Sequence, residues 1–531
     1  MTTRIEAHPA WLIYFLLLTA VLCGALIMVI EVLGSRVIGP FFGVSLFIWT
    51  SLISVAMISL ALGYSLGGRL ADRFPDPKYL YQIIMVAGLL VLLIPVLKAP
   101  ILKLCVPLGL RTGSFIATIL LFGPSLFLLG CVSPFIIRIA ADNMKHLGRT
   151  VGGFYAVSTL GSVAGTAITG FVLIAWLGID EIFQLTGILL VLLSSLYFIL
   201  LRHFKLLVAL ILVPVLWVLQ PSKAYPTVVM DNGVKVSLLD SVDSHYGNLK
   251  VVEYQYNEIR LRELLIDGLV QGGVDMASGL SVYEYSYFLQ FIPYSIKPDM
   301  TTALMIGMGA GVIPSWLEDQ GVNTDVVDID PEIFHLAKKW FNVNPNGNYM
   351  VEDARYFLIQ NQNSYDLVLL DVFSGDTTPT HLLSVESMGL IKAQLTSDGL
   401  VAINLAADLS ENGFMTASII KTLEQVFDQV ELYPAFNYGG DNLSGNLAVV
   451  AYMGPPRAKD LTQLNDMEVH SLALDAVQTN LGKRFYFPED MKAMVLSDDY
   501  NPIDVFDAET REGVRKIIIE STPWEILLYS S

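Results

Sequence analysis

The stretch Ala303–Pro331 reads ALMIGMGAGVIPSWLEDQGVNTDVVDIDP and decides the fold of the C-terminal half. An apolar run meets a turn with Gly307, Gly309 and Gly311, and a helix-like segment then leads to a second apolar run that ends at Asp328. This order predicts a βαβ unit whose glycines admit a ligand close to the backbone and whose acid can accept both hydroxyls of a ribose. Asp328 follows Gly307 by 21 positions, as such a unit requires. An ordinary tight turn is the alternative, which the acidic motif VVDIDP disfavours.

Composition divides the chain into two parts. Of the 531 residues, 53% are hydrophobic and only 15% are charged, which is too apolar for a purely soluble protein. Residues 1–221 hold 13 Lys+Arg and 7 Asp+Glu, whereas the remainder holds 19 and 43 and carries a net charge of −24. A membrane part is therefore predicted to precede an acidic, water-soluble part. This acidity argues against nucleic acid as a partner, because the phosphate backbone would be repelled.

Residues 1–221 predict a transmembrane helical bundle within the lipid bilayer. Six apolar stretches are long enough to cross about 30 Å of hydrocarbon, and these are Trp11–Ile30, Phe41–Leu66, Tyr79–Leu97, Ser114–Ile137, Val151–Leu177 and Ile182–Leu201. A seventh stretch, Leu206–Leu219, has 14 residues and a central Pro214, so we expect that it does not cross fully. Glu31 and Arg36 are expected at the end of the first span, either at the headgroups or in a functional role. The three cysteines of this part show no metal-ligand spacing.

Basic residues in the short loops predict the orientation of the bundle. They cluster after the second, fourth and sixth spans, in the segments Arg69–Lys78, Arg138–Arg149 and Arg202–Lys205, and such loops face the cytoplasm. We therefore expect a multi-pass protein of the inner membrane with a cytoplasmic C-terminal domain, which a seventh full crossing would export instead. Small residues in Val151–Gly170 favour close packing between helices.

The acidic part is predicted to contain two β-structures. Residues 222–275 alternate apolar and polar residues around turn signals, which predicts a small antiparallel β-sheet. Residues 276–531 alternate strands and helices, which predicts an α/β domain with a doubly wound, mostly parallel sheet. Asp328, Asp353 and Asp371 fall where strands end, at the edge where such sheets bind ligands.

Five motifs of this part stand in the order and spacing of spermidine synthases. They are LLIDGLVQ (264–271), the glycine turn, VVDIDPE (326–332), VEDARYFL (351–358) and YDLVLLD (365–371). The whole chain resembles bacterial proteins that fuse a transporter-like bundle to such a domain. The resemblance implies a Rossmann-like class I S-adenosylmethionine (SAM) domain that uses SAM or decarboxylated SAM and no metal.

The resemblance also implies a role for each matched residue. Asp328 would hold the ribose and Asp353 would bind the adenine amino group. The other residues implied to bind the cofactor are Gln271, Gly307, Gly309, Gly311, Ile329 and Ala354. Asp371 would be the acid beside the reacting carbon, Tyr285 would contact the substrate, and Asp376 would supply a second acid from a shifted loop.

The end of the site that would hold a polyamine departs from the family's pattern. Ala310 stands where the family has an acid in the glycine turn, and Ser286-Tyr287 stand where it has His-Glu or Gln-Glu. Tyr246-Gly247 replaces Tyr-Gln, Asp441–Ser444 replaces a Pro-Thr-Tyr-Pro stretch, and Ser374 replaces an acid. The nucleoside end is thus retained while the polyamine end is eroded.

Several kinds of chemistry stay open at such a site. Intact SAM could cyclise through its own carboxylate, breaking the propyl C–S bond to give methylthioadenosine and homoserine lactone. Ala310 favours this hypothesis, because an acid there would repel the SAM carboxylate. The alternatives are a polyamine aminopropyltransferase that uses decarboxylated SAM and putrescine, a methyltransferase, and a SAM-sensing transporter. The role of the bundle and self-association into a homo-oligomer also stay open.

Overall fold

The computed structural model describes residues 10–43, 46–140, 147–220, 224–343, 346–372, 379–440, 442–464, 467–503 and 508–529. The chain divides into two compact units. The first, Met1–Ala224 with Leu528–Ser531, is helical, and the second, Tyr225–Leu527, contains both β-sheets.

The helical unit consists mainly of long apolar helices. Its α-helices are Ala10–Phe42, Leu46–Arg73, Pro77–Cys105, Leu110–Gly130, Val132–Ala140, Leu147–Ile168, Ile174–Trp176, Ile179–Leu200 and Leu212–Val218, with a π-helical turn at Thr169–Leu173 and 3-10 turns at Val106–Leu108 and Phe204–Ile211. Within the described residues, six spans are long and apolar enough to cross a membrane: Trp11–Phe42, Phe47–Arg73, Pro77–Leu108, Leu110–Ala140, Leu147–Trp176 and Ile179–Leu200.

One boundary of the helical unit differs from the prediction, whereas the seventh stretch forms no long helix, as expected. The first helix does not end near Ile30 but continues to Phe42, so that Glu31 and Arg36 lie within it rather than at its end. A charged side chain lowers the hydropathy of a segment without interrupting its backbone hydrogen bonds, and this helix ends instead at Gly43, which has φ +86°. The seventh stretch forms a 3-10 turn and the helix Leu212–Val218, which is too short to cross hydrocarbon.

Small residues bring the first helix and the helix Leu147–Ile168 into backbone contact, as the sequence predicted. A Cβ atom on Gly161 would lie 2.3 Å from the carbonyl oxygen of Val21, and one on Gly165 would lie 2.4 Å from that of Ala25. The hydroxyl of Ser162 donates to the carbonyl oxygen of Gly24 at 3.0 Å. Larger side chains at these glycines would therefore separate the two helices.

The second unit begins with the predicted antiparallel sheet. Its five strands pair in chain order: β1 (Thr227–Val229), β2 (Lys235–Asp243), β3 (Asn248–Tyr256), β4 (Ile259–Ile266) and β5 (Leu269–Asp275). Alternate residues of one face, including Leu249, Val251 and Leu264, are buried in the core shared with the following α/β domain.

A seven-stranded sheet forms the centre of the α/β domain. Its strands are β6 (Thr302–Ile306), β7 (Asn323–Asp328), β8 (Tyr349–Val351), β9 (Tyr365–Leu370), β10 (Leu395–Asp408), β11 (Gln429–Pro434) and β12 (Ser444–Tyr452). They are arranged in the order β11-β12-β10-β9-β6-β7-β8, with β6 to β10 parallel and β12 antiparallel to both of its neighbours. The order reverses between β6 and β9, and the crevice at such a switch point is where doubly wound sheets bind ligands.

Helices cover both faces of this sheet. They are Glu284–Ile296, Val312–Asp319, Pro331–Trp340, Ala354–Gln360, Val385–Ala393, Phe414–Leu423, Leu474–Asn480, Ala508–Ser521 and Trp524–Leu527, with 3-10 turns at Thr380–Leu382 and Leu461–Leu464. Successive residues of β6 point to opposite cores, Met305 to one and Ile306 to the other. Because β6, β7 and β9 run parallel, the loops that follow them lie at the same edge of the sheet.

Candidate active site

A pocket of about 190 Å³ lies at the carboxyl ends of β6, β7 and β9. Seven of the eight residues predicted to bind the cofactor line it, together with the predicted catalytic acid: Gln271, Gly307, Gly309, Asp328, Ile329, Asp353, Ala354 and Asp371. Gly311 and Tyr285 are outside its wall. The structure thus brings the predicted residues together, although they come from five separate segments of the chain.

Asp328 is held at the end of β7 by backbone amides. One carboxylate oxygen accepts the N–H of Met308 at 2.9 Å, and the other accepts the N–H of Asp330 at 2.9 Å. Burial raises the pKa of Asp328 to about 6, although these backbone hydrogen bonds oppose the shift. Each oxygen keeps a further lone pair, so this carboxylate can still accept hydroxyl donors from a ligand.

The glycine turn serves the protein's own packing as well as the pocket. Gly307, Gly309 and Gly311 have φ of +84°, +53° and +75°. A Cβ atom on Gly307 would lie 2.1 Å from the carbonyl oxygen of Asp371, and one on Gly309 would lie 2.5 Å from that of Gln271. Because Gly307 and Gly309 lack side chains, the backbones of Asp371 and Gln271 can pack directly against the turn. The sequence did not predict this packing role. Gly311 instead makes room for the side chain of Val343 and is not among the residues that line the pocket, so its role in cofactor binding stays a prediction.

Asp353 is the N-cap of the helix Ala354–Gln360 at the opposite wall of the pocket. Its carboxylate accepts the N–H of Tyr356 at 3.0 Å, and its second oxygen lies 3.5 Å from Nε2 of His381. His381 also lines the pocket, and the sequence analysis did not single it out. A histidine 28 positions from its partner carries no local signal that could have identified it.

Asp371 follows β9, and one hydrogen bond to its side chain is found among the described residues. Its Oδ1 accepts from the side-chain amide of Asn404 at 2.9 Å, and burial raises the pKa of the carboxyl to about 6 against this bond. Asn404 itself is 6% exposed, and its Oδ1 is buried with no hydrogen-bond partner among the described residues. Sequence reasoning missed Asn404, although it is the one polar residue in the run LVAINLAA of β10.

Tyr285 lies behind the glycine turn, on the helix Glu284–Ile296. Its hydroxyl is 3.7 Å from the position that a Cβ atom on Gly272 would occupy, and the methyl group of Ala310 is 3.1 Å from the same position. Burial, together with the charge of Asp371, raises the pKa of Tyr285. The tyrosine therefore belongs to the neighbourhood of Asp371 although it does not line the pocket.

Three departures from the spermidine synthase pattern have structural explanations. The hydroxyl of Ser286 bonds with Ser281, and that of Tyr287 donates to the carbonyl oxygen of Ser281 at 2.7 Å, so both side chains serve the local fold. A Cβ atom on Gly247 would lie 2.7 Å from Cγ2 of Ile266, which excludes the family's glutamine there without a shift. Asp376, Ser374 and Asp441 lie outside the described residues.

The comparisons with known proteins place part of the chain among transferases. No family model matches the chain. It is 26% identical over 220 residues to a polyamine aminopropyltransferase of Vibrio vulnificus, a match that covers 39% of this chain and 71% of that protein. It is 35% identical over 138 residues to an N-terminal histidine N-methyltransferase of Emericella nidulans, covering 25% of this chain but only 24% of the relative. A probable spermidine synthase from Corynebacterium glutamicum aligns with a TM-score of 0.38 and 17% identity, over 48% of this chain and 95% of that one.

These matches define the class of the second unit. Part of the chain is homologous to polyamine aminopropyltransferases, and its fold is a spermidine synthase-like, Rossmann-like transferase fold preceded by a helical region with apolar helices. Within the described residues, no group of three or more His, Cys, Asp or Glu side chains could hold a metal ion.

Proposed function

We propose that the second unit binds an adenosyl sulfonium and breaks its bond between sulfur and the propyl carbon, releasing methylthioadenosine. The observation that carries this proposal is the pair Asp371 and Asn404. Asn404 donates to Oδ1 of Asp371, while the buried amide oxygen of Asn404 has no hydrogen-bond donor among the described residues. A buried acceptor without a donor, next to a carboxylate, favours a positively charged or N–H-bearing ligand.

The nucleoside would occupy the pocket beside this pair. Asp328 would accept the two ribose hydroxyls, because its oxygens are already oriented by the amides of Met308 in the glycine turn and of Asp330. Asp353 would accept from the adenine amino group, and the apolar side chains of Ile329 and Leu382 would cover the ring. The sulfonium arm would then point past Gly307 towards Asp371.

The favoured reaction is the cyclisation of intact SAM. The carboxylate oxygen of SAM attacks its own γ-carbon, the C–S bond breaks, and its electron pair neutralises the sulfonium to give methylthioadenosine and homoserine lactone. No proton has to be removed, so Asp371 would stabilise the cationic arm rather than act as a base. Ala310 supports intact SAM as the donor, since an acid at this position would repel its carboxylate.

Aminopropyl transfer is the second candidate, and the homology with polyamine aminopropyltransferases favours it. Here an amine attacks the propyl carbon of decarboxylated SAM, and Asp371 takes the proton that the amine loses. A carboxyl with a pKa of about 6 is suited to this role near neutral pH. Tyr285 would hold the acceptor amine, and Asp376 would supply a second acid.

One experiment separates these reactions. The full-length protein, purified in detergent, is incubated with SAM alone, with decarboxylated SAM plus putrescine, and with SAM plus a histidine-initiated peptide. Methylthioadenosine and homoserine lactone from SAM alone support cyclisation, and spermidine from the second mixture supports aminopropyl transfer. S-adenosylhomocysteine would show methyl transfer and would contradict both. Binding of SAM without formation of any product would contradict both reactions and support the alternative that the domain senses SAM for a transporter.

We further propose that the six long apolar helices cross the inner membrane and that the second unit lies in the cytoplasm. The basic loops after the second, fourth and sixth spans support this orientation, as does the cytoplasmic supply of SAM. A reporter fused after Ser531 should be active only in the cytoplasm. A reporter active only outside it would overturn the orientation.

A further inference from the structure

We propose that two contacts outside the pocket position the active site: Arg515 of the C-terminal segment 508–527 braces the nucleoside end, and Glu263 with Tyr283 braces the reacting end. The proposal rests on the proposed function for the role that it gives Tyr285. Arg515, Glu263 and Tyr283 are not among the residues that line the pocket, so any influence on the site has to pass through other residues.

The first link joins Arg515 to the turn between β4 and β5. Arg515 is 3% exposed, and its Nη1 donates to the carbonyl oxygen of Asp267. Asp267 and Gly268 form this turn with φ of +48° and +82°, a conformation that is strained for a residue with a side chain. Ile266 and Gln271 flank the turn, and both line the pocket. Arg515 therefore holds in place the turn that closes the nucleoside end.

The second link joins Glu263 of β4 to the residues just before the helix that carries Tyr285. The hydroxyl of Tyr283 donates to Glu263 Oε1 at 2.5 Å. Glu263 and Tyr254 lie in diagonal positions on the same face of the β3–β4 pair.

The packing around Glu263 leaves space for its hydrogen bond with Tyr283. A Cβ atom on Gly273 would lie 3.0 Å from Cγ of Glu263 and 3.1 Å from Cε2 of Tyr283, so glycine leaves space for their bond. Within the described residues no cation pairs with Glu263, and the hydroxyl of Tyr283 is its hydrogen-bond partner. A half-buried carboxylate with a hydroxyl partner fixes the direction of that hydroxyl, because the bond compensates for the water that the carboxylate has lost.

Tyr283 passes this constraint to the reacting end. It is the N-cap residue of the helix Glu284–Ile296, and its ring centroid lies 6.5 Å from that of Tyr285. Displacement of Tyr283 would therefore tilt the first turn of this helix and move the hydroxyl of Tyr285 relative to Asp371. The two links thus predict different defects: loss of the first weakens nucleoside binding, and loss of the second slows the reaction.

The test compares Arg515→Met with Tyr283→Phe in the full-length protein, with Tyr256→Phe on the exposed part of β3 as a matched control. The measurements are the affinity for methylthioadenosine, turnover of the active donor, and hydrogen exchange of peptides covering 264–271 and 281–290. Arg515→Met should weaken methylthioadenosine binding about tenfold and speed exchange in 264–271 alone. Tyr283→Phe should lower kcat by roughly tenfold to a hundredfold, leave methylthioadenosine affinity unchanged, and speed exchange in 281–290 alone.

A double variant shows whether Tyr283 acts through Tyr285. Adding Tyr283→Phe to Tyr285→Phe should cause little further loss of kcat, because the residue being positioned is already altered. The proposal would be overturned if Arg515→Met and Tyr283→Phe changed affinity, turnover and exchange by equal amounts and both lowered the melting temperature. That result would show that the two variants only destabilise the fold. Unchanged exchange in both segments would overturn it as well. Exchange and methylthioadenosine binding need no turnover, so an error in the proposed reaction would leave them interpretable. If Arg515→Met does not accumulate, Arg515→Lys gives the same comparison.

Discussion

The two ends of the site stabilise their carboxylates in opposite ways. At the nucleoside end, each oxygen of Asp328 accepts a backbone N–H, and Asp353 caps a helix. At the reacting end, the donor to Asp371 within the described part of the chain is one side-chain amide, that of Asn404. Burial nevertheless raises the pKa of both Asp328 and Asp371 to about 6. The same shift therefore arises in a carboxylate with several backbone donors and in one with a single donor.

This difference separates binding from chemistry. Backbone donors orient Asp328 before a ligand arrives, so that a ribose meets an acceptor whose geometry is already set. Among the described residues no backbone amide donates to the carboxylate of Asp371, and a cationic substrate arm or a proton would satisfy it best. The nucleoside end is thus suited to bind a ligand in a fixed orientation, and the reacting end is suited to bind a cationic group or a proton.

The largest effect is expected from Asp371→Asn. Loss of the carboxylate should lower turnover of either donor by about 10²–10⁴-fold, because it removes the charge beside the reacting carbon. Affinity for methylthioadenosine should not change, since this product lacks the cationic arm. Product release and calorimetry measure the two quantities, with the exposed Asp490→Asn as a control. Turnover equal to that of the control would remove Asp371 from the reaction.

Asp328→Ala should produce the complementary defect. The loss of two hydroxyl bonds to a carboxylate should weaken methylthioadenosine and SAM binding by about a hundredfold. Turnover at saturating donor should fall much less, because Asp328 does not touch the propyl arm. Calorimetry beside Asp319→Ala, which removes an exposed charge, provides the comparison. Unchanged affinity would contradict the assignment of the ribose to Asp328.

Ala310→Asp tests the donor at the reacting end. An acid here should raise the dissociation constant of intact SAM by roughly tenfold to a hundredfold through repulsion of its carboxylate. Decarboxylated SAM should bind as before or better. Ala310 is buried against Gly272, so Ala310→Asn serves as an uncharged control of the same size. Equal losses in both variants, or for both donors, would assign the effect to space rather than charge.

A smaller effect is expected on stability. Because the pKa of Asp371 is raised in the folded protein, the folded state holds this proton more tightly than the unfolded chain does. The stability cost of ionisation therefore appears as pH rises from about 4 to 6 and is constant above that range. Asp371→Asn should stabilise the ligand-free protein at pH 7.5 by about 1–3 kcal/mol and leave it unchanged at pH 4. Melting curves at both pH values measure this, and a gain of equal size at pH 4 would contradict it.

Prediction from the sequence succeeded where the signal was local. The βαβ unit, the antiparallel sheet and the position of Asp328 follow from strand periodicity, glycines and an acid within a few tens of residues. The end of the first helix was predicted wrongly, because hydropathy reports where a membrane could end and not where backbone hydrogen bonding stops. His381, Asn404 and Arg515 were missed because each meets its partner 28 to 248 positions away in the chain.

The sequence by itself determined the alternation of apolar runs with turns and acids, and with it an apolar helical part followed by a Rossmann-like domain with carboxylates at its strand ends. Such features depend on backbone geometry and on burial, which act over neighbouring residues. Only the tertiary structure decided how well each carboxylate is satisfied. Asp328 gains the amide of Met308 from the glycine turn, Asp371 depends on Asn404 of the adjacent strand, and Glu263 depends on Tyr283. Those partners are set by the pairing order of the strands and the packing of distant helices, which local patterns do not encode.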